Sequence, residues 1–126
     1  MFDYGKKKQK DQIKKRRKQE EYARVYALHE QAVFLCYINE AYMEEYQGRA
    51  FVKLEGLAAR GTAKVGDTFK LYDCKGRFKA EVTMEELYCG KDSVERLEGG
   101  DKRVALYPVE QEISYCAGDI LCKLEE

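Results

Sequence analysis

The chain has 126 residues, 44% of them hydrophobic and 37% charged, with one Pro and five Cys: enough for one domain with its own apolar core and too little for two. No stretch approaches the roughly 20 consecutive apolar residues of a membrane-spanning helix, and the N-terminus runs into lysines without the apolar segment of a secretory signal. Formal net charge is zero, which hides an asymmetry: residues 1–20 hold nine Lys/Arg against Asp3, Asp11 and Glu20, a local +6 balanced by −6 in the remainder. A basic arm on an acidic body points to an anionic partner for the arm.

The first element is a helix from about residue 10 to 30, a stretch free of Gly and Pro. Tyr22, Val25, Tyr26, His29, Ala32 and Val33 recur at three- and four-residue steps and predict one apolar face. Arg16–Glu20 and Arg17–Glu21 stand at i,i+4 and form weak pairs. The early turns carry Lys14, Lys15, Arg16, Arg17 and Lys18, whose charge opposes the helix dipole. Those cations do little for the helix itself, so their placement favours contact with something anionic. Residues 1–31 are accordingly assigned to a basic tail and helix, and 32–126 to a β domain.

Beyond residue 31, β-branched, aromatic and Leu runs are interrupted by Gly about every ten positions, the texture of an all-β domain. Strands are expected near 32–43, 49–56, 67–73, 77–89, 102–107 and 119–124, with Asp73-Cys-Lys-Gly76 turning a hairpin. Six short strands in under a hundred residues fit a small closed six-stranded barrel, since closure removes exposed edges.

The stretch Gly61-Thr-Ala-Lys-Val-Gly-Asp-Thr68 has the glycine spacing of a phosphate-binding loop. Such a loop needs Lys where this chain has Asp67, and a helix starting at the last Gly. An anion in that position repels the ligand, and Thr68-Phe-Lys-Leu-Tyr72 alternates as a strand does. Gly-Asp also recurs at Gly66-Asp67, Gly100-Asp101 and Gly118-Asp119, each time ahead of an alternating segment. Glycine supplies the tight turn and Asp bonds nearby amides, so the motif reads as a turn into a strand and not as a nucleotide site.

The run Ile38-Asn-Glu-Ala-Tyr42, then Tyr46-Gln-Gly48-Arg49-Ala50, then Lys64-Val-Gly-Asp67 resembles the second, β-barrel domain of translation GTPases of the elongation factor Tu type. Ala80-Glu-Val-Thr-Met84, Glu98-Gly-Gly-Asp101 and Ala117-Gly-Asp-Ile-Leu121 continue the likeness in order, over residues 32–124. Ala50 replaces the second Gly of that family's Gly-Arg-Gly turn. The sequence has no phosphate loop or nucleotide-specificity segment, and only the basic helix stands where the GTPase domain would be, so GTPase activity is not expected of it. In the family this barrel contacts ribosomal RNA and, in the Tu type, helps hold the end of transfer RNA. The resemblance therefore implies ribosomal or transfer RNA as a candidate partner.

No reaction is suggested by the remaining residues. His29 stands alone, no His/Cys cluster has ligand spacing, and no Cys–His signature is present. Glu44-Glu45, Glu85-Glu86 and Glu125-Glu126 are adjacent pairs, which face opposite sides of an extended segment and make no acid/base couple. No catalytic residue, cofactor or metal is expected. The cysteines, Cys36, Cys74, Cys89, Cys116 and Cys122, are odd in number and unpaired by spacing, which predicts a reduced, cytoplasmic protein. Candidate RNA contacts are Lys14, Lys15, Arg16, Arg17 and Lys18 on the helix and Arg49, Lys53, Arg60 and Lys64 on the barrel, with Tyr4 and Tyr22 placed to stack on bases. The competing expectation is a protein-interaction or self-association module using the Tyr/Val face of the helix.

Overall fold

A computed structural model describes the backbone of residues 3–109 and 112–124, with side chains from residue 16 onward. Helix α1 (Asp3–Gln31) leads directly into β1 (Ala32–Tyr46), followed by β2 (Arg49–Lys64), β3 (Thr68–Tyr72), β4 (Phe78–Cys89), β5 (Asp92–Val94), β6 (Arg96–Glu98), β7 (Lys102–Pro108) and β8 (Ile120–Leu124). Six of these strands close on themselves in the order β1-β8-β3-β4-β7-β2, with β2 pairing back onto β1. Every pairing in this ring is antiparallel. The six expected strands are these six. Two short charged ones, β5 and β6, were not anticipated; they flank β4 and β2 outside the ring.

The core inside the ring comes from alternate residues: Phe34, Cys36 and Ile38 from β1, Leu54 and Ala58 from β2, Leu71 and Phe69 from β3, Val82 and Met84 from β4, with Leu87 brought inward by a register shift after Met84. Phe34 and Phe69 meet with ring centroids 5.5 Å apart. Each Phe, Ile, Leu, Val or Met among them, fully withdrawn from water, contributes about 1.5–3 kcal/mol. A second, smaller cluster lies outside the ring, where Leu28 of α1 packs on Leu35, Ile120 and Cys122, with Val25, Tyr37, Tyr72 and Leu124 around it. Strand β1 is thus covered on both faces between Phe34 and Ile38, which explains its unbroken apolar run.

Strand β2 is far longer than the 49–56 expected, running through Gly56 and Gly61 to Lys64. A Cβ at Gly61 would lie 2.7 Å from the Cα of Phe34 and overlap the Val33 carbonyl oxygen. Glycine here marks close passage of β1 over β2 and not a break. The helix also differs from expectation. Tyr22 is 75% and Tyr26 65% exposed, while Val25 and Leu28 turn inward, so the packed face is rotated by about one residue. Tyrosine tolerates this because its hydroxyl end is content in water.

The phosphate-loop lookalike resolves as a strand end, a turn and a strand start. Gly61–Lys64 finish β2, Gly66 takes a φ of 87°, and the Lys64 amide donates to Asp67 Oδ2 at 2.9 Å. Strand β3, not a helix, follows. The same device recurs at the start of β8, where Asp119 Oδ2 accepts from the Cys116 amide at 2.9 Å.

Candidate nucleic-acid interface

The helical cations come first. Arg16, Arg17 and Lys18 are exposed; Lys14 and Lys15 belong to α1, with side chains outside the described residues, as is that of Tyr4. Among the described residues, the contacts that fix the helix to the ring lie in its last third. Arg24 Nε donates to the Lys75 carbonyl at 3.1 Å, and Lys75 Nζ lies 3.8 Å from Glu21. Gly76 sits so close beneath that an added Cβ would fall 2.9 Å from the Cβ of Arg24. Tyr37 joins its hydroxyl to the His29 imidazole, so that histidine serves packing.

The four barrel candidates are strung along β2 and are not gathered into one patch. Arg60 Nη2 donates to the Ala32 carbonyl at 2.7 Å and also to that of His29. These oxygens belong to a helix end that has lost its intrahelical donors, so Arg60 acts as the cap. Lys53 sits between Glu44 at 3.3 Å and Glu55 at 3.4 Å, over the Tyr42 ring. The Tyr42 hydroxyl and Glu44 keep its ammonium protonated well above the ordinary lysine range. Its charge is thereby neutralised locally. Lys64 is exposed at the far end of the strand, paired across from Arg96.

Arg49 follows a two-residue turn in which Gln47 and Gly48 both have positive φ, 52° and 76°, the twist a hairpin favours. Its guanidinium lies over Phe51, 5.3 Å from the centroid. Here the hairpin of β1 and β2 leans over β4 and β7, leaving a groove of about 660 Å³. Tyr46, Phe51, Tyr88 and Tyr107 line it together with four glutamates. Tyr88 and Tyr107 meet edge to face at 5.4 Å. Burial raises the pKa of Tyr107 despite the opposing pull of Lys53, so it stays a neutral phenol. Sequence reasoning did not pick out this groove. The signal was the alternation that puts Tyr46 and Phe51 on the same hairpin face, but their convergence with Tyr88 and Tyr107 depends on long-range pairing.

Among the described residues no group of three or more His, Cys, Asp and Glu is placed to hold a metal ion. Among the described residues no helix is long and apolar enough to cross a membrane.

No family model matches the chain, and no curated protein resembles it in sequence. Solved structures do resemble it. Translation elongation factor SelB from Methanococcus maripaludis superposes with a TM-score of 0.52 at 23% identity, over 71% of this chain and 18% of that one. A bacterial selenocysteine-specific elongation factor, EF-Sec, gives 0.56 at 17% identity, over 74% and 15% respectively. The likeness is one of fold, and the chain spans less than a fifth of each of these two proteins. The fold is that of a translation-factor β domain, as the turn motifs imply.

Proposed function

We propose that this chain is a non-catalytic accessory factor of translation that binds RNA or the ribosome through its basic helix, with the strand ring as the platform. The observation that carries the reading is the division of α1. Its last third is clamped to the ring by Arg24, Leu28 and Arg60, while Arg16, Arg17 and Lys18 are held out in solvent. A cation cluster on a supported helix meets phosphates without the ordering cost of a loose tail. Lys14 and Lys15 extend the same stretch, and ribosomal or transfer RNA is the partner class that the likeness to elongation factors favours. Arg60 and Lys53 are engaged within the protein and are secondary to the helix.

Co-sedimentation with ribosomes and with naked RNA across salt tests it. Retention weakens steeply between about 50 and 200 mM salt if phosphates are neutralised. Reversing Arg16, Arg17 and Lys18 to Glu abolishes it. Retention that ignores both salt and these substitutions overturns the reading.

A second reading is favoured by Tyr22 and Tyr26, which are exposed on α1 beside the packed face. A protein partner covering them makes the chain an interaction module. Tyr22→Ser with Tyr26→Ser then removes partner binding and leaves RNA retention intact.

A further inference from the structure

The groove beneath the β1–β2 hairpin has the wrong charge for RNA. Glu44, Glu45, Glu85 and Glu86 border it, with Arg49 the one cation among its lining residues. Glu44 is engaged by Lys53 and by the Tyr107 hydroxyl at 3.2 Å, and Glu86 by the Tyr88 hydroxyl at 3.3 Å. Glu45 and Glu85 are exposed and have no ion pair or hydrogen bond among the described residues. Between the carboxylates lie the faces of Tyr46, Phe51, Tyr88 and Tyr107. Aromatic faces ringed by carboxylates select cations carried on long apolar stems, the chemistry of Lys and Arg side chains. The rim is apolar as well: Tyr46 is 67% exposed, and Pro108 closes the far wall. A lone solvated carboxylate pair does not present such a surface.

We propose that this groove docks the basic N-terminal helix of a second copy of the chain. The two parts are complementary in charge, +6 over residues 1–20 against an acid-bordered aromatic groove. Attraction between copies follows even though each copy is neutral overall. The chain's own Arg16 and Lys18 are poorly placed to fill it. Arg16 and Lys18 lie roughly 9–12 Å beyond the Arg24 anchor along a straight helix. The hairpin tip at Tyr46 lies about 30 Å along β1 from Tyr37, the point where β1 meets the start of β8. Reciprocal exchange of helices gives a two-fold dimer, the commonest closed assembly.

The test is sedimentation equilibrium of the full chain from low to high micromolar concentration, in roughly 0.05 and 0.5 M salt. Two variants are compared: a groove reversal, Glu45→Lys with Glu85→Lys, and an arm reversal, Arg16→Glu, Arg17→Glu and Lys18→Glu. Both change exposed side chains, and thermal melts verify that each folds. The unaltered chain associates at low salt, with a dissociation constant at least tenfold weaker at high salt. Each variant alone is monomeric, and an equimolar mixture of the two associates again, because the unaltered basic arm of the groove variant meets the unaltered acidic groove of the arm variant. A monomeric unaltered chain at low salt, association that survives either reversal, or a mixture that stays monomeric overturns the proposal. So does a groove reversal that abolishes RNA retention, which would make RNA the occupant. Loss of RNA binding alone leaves this proposal standing, and loss of association alone leaves the RNA reading standing.

Discussion

The guanidinium of Arg60, near the end of β2, holds the carbonyl of Ala32 at 2.7 Å where the helix gives way to the first strand. One side chain thus joins the helix end to the wall of the ring. Arg60→Ala leaves the carbonyls of His29 and Ala32 without this donor and lowers stability by about 1–2 kcal/mol. Hydrogen exchange at amides 21–31 rises more than in the strands.

Two glycines of the same motif separate space from backbone conformation. Gly61 and Gly66 both have a φ of 87°, but only at Gly61 does an added Cβ strike neighbouring backbone, whereas at Gly66 it meets open space. Gly66→Ala costs about 1 kcal/mol through strain alone. Gly61→Ala forces β1 and β2 apart and costs more than about 3 kcal/mol or prevents folding. Urea unfolding of the two variants checks the ranking, and equal effects would contradict the close crossing.

Acid sensitivity is localised at Asp67. Burial pushes its carboxyl pKa up, but the ammonium of Lys123 at 2.8 Å and the Lys64 amide outweigh this and hold it below the usual aspartate range. A depressed native pKa gives stability that is present above the unfolded value, about 3.9, and is lost as pH falls through the native one. Asp67→Asn therefore lowers stability at pH 7, by about 1 kcal/mol given the partial exposure of both partners. The gap between variant and parent narrows below about pH 4. Urea titrations at neutral and acid pH measure it; a gap that widens on acidification refutes the assignment.

The five thiols differ in reach. Burial lifts Cys36 to about 12 and Cys122 to about 11, so neither forms much of the thiolate that reacts. Cys74 and Cys116 are exposed. Brief alkylation of the folded chain labels Cys74 and Cys116 first and spares Cys36 and Cys122, as read by peptide mass. Rapid labelling of Cys36 would mean that the ring opens readily.

Much of this architecture was legible from local chemistry, because Gly66-Asp67 and Gly118-Asp119 announce their turns through a positive φ and an amide-accepting carboxylate. What was not legible depends on residues distant in sequence. Gly56 and Gly61 read as interruptions because nothing local says that Tyr37 and Val33 pass over them. Arg60 read as a surface cation because its partners lie 28 and 31 positions earlier. Of the expected helix face, Val25 and Ala32 pack while Tyr22 and Tyr26 stay in water, since periodicity does not tell a packed tyrosine from a wet one. Among the candidate contacts, Arg16, Arg17 and Lys18 are exposed as a charge run on a helix should be, whereas the groove exists only once β4 and β7 stand beside the hairpin.

Because β1 begins at Ala32 and is joined at Leu124 by β8, the circle is completed by the segment made last of the six. A growing polypeptide emerging from the ribosome has to carry β1 and β3 with unsatisfied edges until Ile120–Leu124 are extruded. Long-range closure of this kind is slow compared with local hairpins. The interval is when such a product is most exposed to chaperones and to misassociation with its neighbours.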